Sequence, residues 1–193
     1  MPRTKQFDEN QVLEKAVDLF WKQGYHATSM QDLVDHLGIN RASLYATFGD
    51  KKRLFVRAIN HYRAINAVGM SDFLQSESDV RTGMRKLLEK AILEAHEDID
   101  RKGCFVVNTT TELVPGDAEI EQLVEENKTD FEERIYSYLK RGQTEGQLPS
   151  SKDVKAIANL IFTLYNGIRV VGKMSPTSET LTTTVDTALS LLD

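Results

Sequence analysis

The chain has 193 residues, 40% of them hydrophobic and 27% charged, a balance that excludes a disordered chain and leaves room for one ample core or two small ones. Its formal net charge is −5, but residues 1–63 carry 10 Lys and Arg against 7 Asp and Glu, or +3, and residues 64–193 carry −8. Because charge is screened beyond about 8–10 Å of salt solution, a local basic excess is compatible with an anionic partner despite the acidic remainder. A lone cysteine, Cys104, excludes a disulfide framework and suits a reducing compartment. The opening MPRTKQFDEN has no apolar stretch of a secretory signal, and no run of about 18 apolar residues follows, so the sequence predicts a cytoplasmic protein that does not enter a membrane.

In chain order, Asp8 and Gln11 form a capping pair for a first helix with Val12, Leu13, Ala16, Val17 and Phe20 on one stripe, ended by Gly24. Trp21 and Tyr25 adjoin that stripe and are expected in or beside the core. Thr28 followed by Gln31 reads as a capping box for a second helix, to about His36, carrying Met30, Leu33, Val34 and Leu37. Gly38 supplies a sharp reversal, and Asn40 caps a third helix from Arg41 to about Thr47. Leu44 and Phe48 turn inward, leaving Ala42, Ser43, Tyr45 and Ala46 outside. A face of small residues and hydroxyls permits close approach to a DNA groove and contact with phosphates, so the segment reads as a helix-turn-helix. Helix, glycine turn and helix also occur in proteins that bind no DNA.

Asp50 is expected to cap a long helix, with Lys51, Lys52 and Arg53 in its first turn and Leu54, Phe55, Ala58, Ile59 and Tyr62 inside, to about Met70. Cations at a helix N-terminus oppose its dipole; a nearby phosphate rationalises them, and a solvated charge run is the alternative. Gln75-Ser-Glu-Ser reads as a break. Helices then follow over Asp79 to about Asp100, within Gly103–Val114, over Asp117–Lys140, from about Ser151 to Lys173, and over Ser178–Leu192, the last two divided by Ser175-Pro176. Leu160 and Phe162 lie outside the core stripe of the penultimate helix, a width that one neighbour does not cover. His26, His36, His61 and His96 show no metal-ligand spacing, with His36 and His61 expected on helix surfaces; there is no P-loop, G-x-S-x-G or zinc-type cysteine pair. No metal, cofactor or catalytic site is expected; the enzyme alternative is a thiol mechanism pairing Cys104 with His96.

Gly24-Tyr25, Thr28-Ser29, Gly38-Ile39, Leu44-Tyr45, Phe48 and Lys51 together closely resemble the N-terminal domain of the TetR family of bacterial transcription regulators, over roughly residues 7–60. The resemblance implies an all-α protein: an N-terminal three-helix helix-turn-helix DNA-binding domain at 1–67, and a C-terminal helical ligand-binding and dimerisation domain at 68–193. It implies DNA contacts from Thr28, Ser29, Arg41, Ala42, Ser43, Tyr45, Ala46 and Lys51, and a homodimer formed through the last two helices on a palindromic double-stranded operator. It further implies repression relieved by a small-molecule effector of unknown identity, activation being the alternative. Cys104, Phe105, Asn108, Glu112, Phe131, Phe162, Tyr165 and Asn166 are candidate pocket or sensor residues. Gly103-Cys104-Phe105 with Asn108 and Glu112 also resembles a subset of the family that includes sensors of electrophiles and oxidants. A thiol at a helix start beside Arg101 and Lys102 has its reactive thiolate favoured, with Lys173 a further cation; inert packing beside Phe105-Val106-Val107 is the alternative.

Overall fold

A computed structural model describes residues 7–174 and 177–193, and every regular element among them is helical. The first three helices are short and individually capped. Asp8 accepts from the N–H groups of Asn10 and Gln11 to start α1 (Glu9–Gln23). Gly24, at φ +86°, ends it, a backbone state that costs glycine little. The helix α2 (Met30–Leu37) begins one residue later than Thr28 implies. Ser29 Oγ accepts the Asp32 N–H and Asp32 accepts the Ser29 N–H, a reciprocal box, whereas Thr28 is fully buried and donates its hydroxyl to Gly24 O at 2.6 Å. Both residues are competent caps in sequence, and burial of Thr28 decides between them. Gly38 turns the chain at φ +68°, and Asn40 accepts from Ser43 N to open α3 (Arg41–Phe48).

The long α4 (Lys51–Ser76), capped by Asp50, runs six residues past the expected end at Met70. Leu74, only 5% exposed, anchors that extension, so the polar Gln75-Ser76 pair closes the helix instead of interrupting it. There follow α5 (Val80–Glu97), α6 (Phe105–Leu113), α7 (Ala118–Thr144), α8 (Val154–Val171) with a 3-10 turn at Gly172–Met174, and α9 (Ser178–Leu189) with another at Ser190–Leu192. The expected break at Ser175-Pro176 lies outside the described residues. Threonine is a poor helix former, yet Thr183, Thr184 and Thr187 each donate their hydroxyl to the carbonyl four residues back in α9.

Packing does not follow chain order. One core joins α1–α4 to Cys104, Phe105, Val106 and Leu113 of the α6 region and to Ile120 and Leu123 of α7. The other joins the end of α4 to α5, the rest of α7, α8 and α9. Rings knit the first core across three helices: Phe20 meets Phe55 edge-on at 5.0 Å, Phe55 meets Phe105 at 5.7 Å, and Phe105 meets Tyr62 at 5.6 Å. Trp21 and Tyr25 join this cluster at 5.1 Å from Tyr62 and 5.0 Å from Phe55, half-buried beside the apolar stripe.

Although no fully apolar run of 18 residues occurs in the sequence, Val154–Met174 is long and apolar enough, by length and composition, to cross a membrane. Here it packs between α5 and α7. Only 28% of its apolar window is buried within the chain.

Candidate nucleic-acid interface and sensing region

The outer side of α3 is as the spacing predicts. Leu44 and Phe48 are buried, while Arg41, Ala42, Tyr45 and Ala46 are exposed and Ser43 is half-buried. Two small side chains thus flank a phenol on a convex helix that is free to approach another surface. Thr28 is not available to a phosphate, since it is buried and bonded to Gly24 O, and Ser29 Oγ is engaged in capping α2.

Of the three cations opening α4, two are held inside the molecule. Lys51 Nζ donates to Tyr25 O at 2.9 Å and to Thr28 O at 2.8 Å, and lies 4.3 Å from the Tyr25 ring centre. Its expected phosphate contact therefore competes with two carbonyls and a ring. Lys52 pairs with Asp117, the cap of α7, with Glu119 at 3.8 Å. That pair holds the Asp117 carboxyl below its ordinary range, burial opposing. Its contribution to this contact is present above the ordinary carboxylate pKa and is lost as pH falls through the lowered one. Lys52 thus belongs neither to a solvated charge run nor to a phosphate site. Arg53 stays exposed.

The α1–α2 turn is reached from far along the chain. Glu112, in the last turn of α6, accepts the Tyr25 N–H at 2.9 Å and the His26 N–H at 2.7 Å. Glu112, a candidate pocket residue in sequence, thus has its carboxylate on the α1–α2 turn. A carboxylate near a helix C-terminus opposes the dipole, and here two amides outside its own helix hold it. Nearby, Trp21 Nε1 donates to Gly103 O at 3.2 Å, Lys102 pairs with Asp18 and lies over the Trp21 ring, and Lys22 pairs with Asp100.

Cys104 is buried, 8% exposed, at the cap position of α6 with no capping bond from its side chain. Its spatial neighbours differ from its chain neighbours, since Lys102 is turned to Asp18. Tyr62, Tyr165 and Arg169 share its surroundings. Burial raises the Tyr62 phenol above its ordinary range, with Cys104 adding and Arg169 opposing. Burial works against the Arg169 cation, but Tyr165, Cys104, Glu94 and Tyr62 more than offset it and raise its pKa. Arg169 bonds Glu94 and, at 2.6 Å, the Tyr165 hydroxyl. Lys173 Nζ donates to Asn108 Oδ1 at 2.7 Å, and Asn108 Nδ2 to Lys102 O at 2.8 Å.

The other candidates separate into two groups. Phe105 belongs to the first aromatic core, whereas Phe131 meets Phe162 at 5.4 Å and Tyr165 at 5.0 Å between α7 and α8. Asn166 donates to Phe162 O. An open groove of about 450 Å³ between α4 and α7, lined by Ser71, Leu74, Arg134 and Tyr138 among others, contains none of them. His96 does not reach the thiol: its ring nitrogens meet Ile92 O at 2.8 Å and Ser178 Oγ at 3.2 Å. His61, expected on a surface, is half-buried with its Nε2 enclosed.

Residues 12–58 match the family described as "Bacterial regulatory proteins, tetR family", and residues 80–188 match "Tetracyclin repressor-like, C-terminal domain". An uncharacterised helix-turn-helix transcriptional regulator of Bacillus subtilis, YezE, is 30% identical over 194 residues, covering all of both chains. The Escherichia coli transcriptional repressor ComR is 29% identical over 98% of this chain and 90% of its own. In structure the chain is similar to the TetR family regulator CifR, solved as a cysteine variant on 26-base-pair operator DNA, with a TM-score of 0.87, 28% identity and coverage of 97% and 98%. With the helix-turn-helix, the helical C-terminal half and both family matches in agreement, the chain belongs to the TetR family of transcription regulators.

Proposed function

We propose that this regulator is a homodimeric repressor that reads a palindromic operator through Arg41, Ala42, Ser43, Tyr45 and Ala46 and leaves it when an effector acts on the C-terminal half. The observation that carries the reading is the outward face of α3, small and free, on a scaffold whose inward residues Leu44 and Phe48 are fully committed to the core. Dimerisation is supported by the apolar α8, which leaves Leu160 and Val170 exposed on a single protomer, as the turn that follows it leaves Met174. Repression, in preference to activation, is supported by the repressor ComR among the relatives. Selection of bound fragments from genomic DNA tests the reading. The expected product is an inverted repeat with half-site centres about 34–36 Å apart or a multiple of that. Recovery of no shared sequence rejects it.

Lys51→Ala is expected to lower operator affinity several-fold while leaving its salt dependence unchanged, because the ammonium is engaged with the Tyr25 and Thr28 carbonyls. A slope reduced by about one contact in a salt titration returns Lys51 to the phosphate-binding set.

Cys104 is the proposed point of action for an electrophile, since it stands where α6, α4 and α8 meet, beside Tyr62 and Arg169. A maleimide is expected to modify it and release the operator, and Cys104→Ser to bind DNA and ignore the reagent. Release from the serine variant moves the search to a noncovalent ligand.

A further inference from the structure

We propose that Glu112 is a positioning residue for operator binding, holding the turn that leads into the helix-turn-helix from the C-terminal half of the molecule. The assignment rests on the reading of α3 as the operator-facing helix. The two carboxylate oxygens are divided between two consecutive backbone donors, Oε2 to Tyr25 and Oε1 to His26, at 2.9 and 2.7 Å. Such charge-assisted bonds are stronger than neutral ones, and an ionised carboxylate, which only accepts, is suited to a pair of converging donors.

The same turn is held from its opposite side. Its carbonyls at Tyr25 and Thr28 accept from Lys51, and Thr28 closes it internally onto Gly24. Donors face α6 and acceptors face α4, so the turn sits between a glutamate and a lysine of different helices. Gly24 makes room for this: a Cβ there would stand 2.8 Å from Glu112 Oε2. The other tethers grip different places. Gly103, Lys102 and Asp100 hold α1, and Asp117 holds α4. Glu112 holds the four-residue approach to Ser29, the cap of α2. It also lies on the same nine-residue helix as Cys104's neighbour Phe105 and as Asn108, which Lys173 binds. A displacement at the start of α6 would thereby reach the carboxylate that holds the turn leading into α2.

The test uses the full-length chain and the selected operator. Glu112→Ala is expected to weaken binding roughly 5- to 150-fold, the usual range for coupling between sites, without changing the salt slope, because no phosphate contact is removed. Amide exchange at Tyr25 and His26 is expected to accelerate, while the emission of Trp21, bonded to Gly103 O on the neighbouring tether, stays constant. Glu112→Gln retains one carbonyl acceptor and is expected to restore part of the affinity, which also covers the case in which the alanine variant folds poorly. Wild-type affinity, or wild-type exchange at Tyr25 and His26, in the folded alanine variant overturns the assignment alone, as does a glutamine variant no better than alanine. A wild-type protein that binds no operator overturns the operator reading, and the assignment with it.

Discussion

Replacing Leu160 by glutamate is expected to yield a folded monomer whose operator affinity is lower by roughly 10²- to 10⁴-fold, the advantage that tethering two half-site readers confers. Leu160 is 39% exposed on α8, away from the buried Val154, Ile157, Ala158 and Ile161, so the carboxylate does not enter the protomer core. In the proposed dimer it would be enclosed in an apolar interface, and burying one unpaired charge costs more than a single interface leucine contributes. Sedimentation at micromolar concentration checks the first half of the expectation and operator titration the second. A wild-type protein that sediments as a stable monomer refutes the dimer. Phe162, which sequence spacing also places outside the core stripe, is a poorer probe because its ring meets Phe131 edge-on at 5.4 Å within the same chain.

Ala46→Glu is expected to reduce specific operator binding by about 10²-fold or more, since like charges brought together at an interface cost several kcal/mol. Glutamate is nearly as good a helix former as alanine, and Ala46 is exposed, so helicity and melting should scarcely change. Anisotropy titration with labelled operator measures the effect. Unaltered affinity means that another face of α3 meets the DNA. A bulky residue at Ala42 addresses the same question through shape.

The sequence is most legible where the determining interactions are local. Asn40, Gly38 and Asp50 act within a few residues of their own position, and each cap or turn is found where its chemistry predicts. Where two neighbours compete for one role, tertiary burial decides. Thr28 and Ser29 are both capable caps, and only the packed structure shows that Thr28 is enclosed. Charged residues are the least legible, because helical spacing says which face a side chain occupies but not what stands opposite. Lys51, Lys52 and Glu112 all read as ligand contacts in a one-dimensional chain. Their observed partners are Tyr25 and Thr28, Asp117, and the Tyr25 and His26 amides, 23 to 87 positions away. The exposed flank of α8 is the exception, since excess apolar width is visible without knowing the neighbour.

The first core is completed by side chains that the ribosome adds late. Leu54, Phe55 and Ile59 are emplaced early, but Phe105, Leu113, Ile120 and Leu123 must emerge before that interior is enclosed. A nascent chain ending soon after α4 has the whole helix-turn-helix and an unsealed hydrophobic wall beside it. Synthesis must therefore pass Leu123 before every side chain of that interior is present.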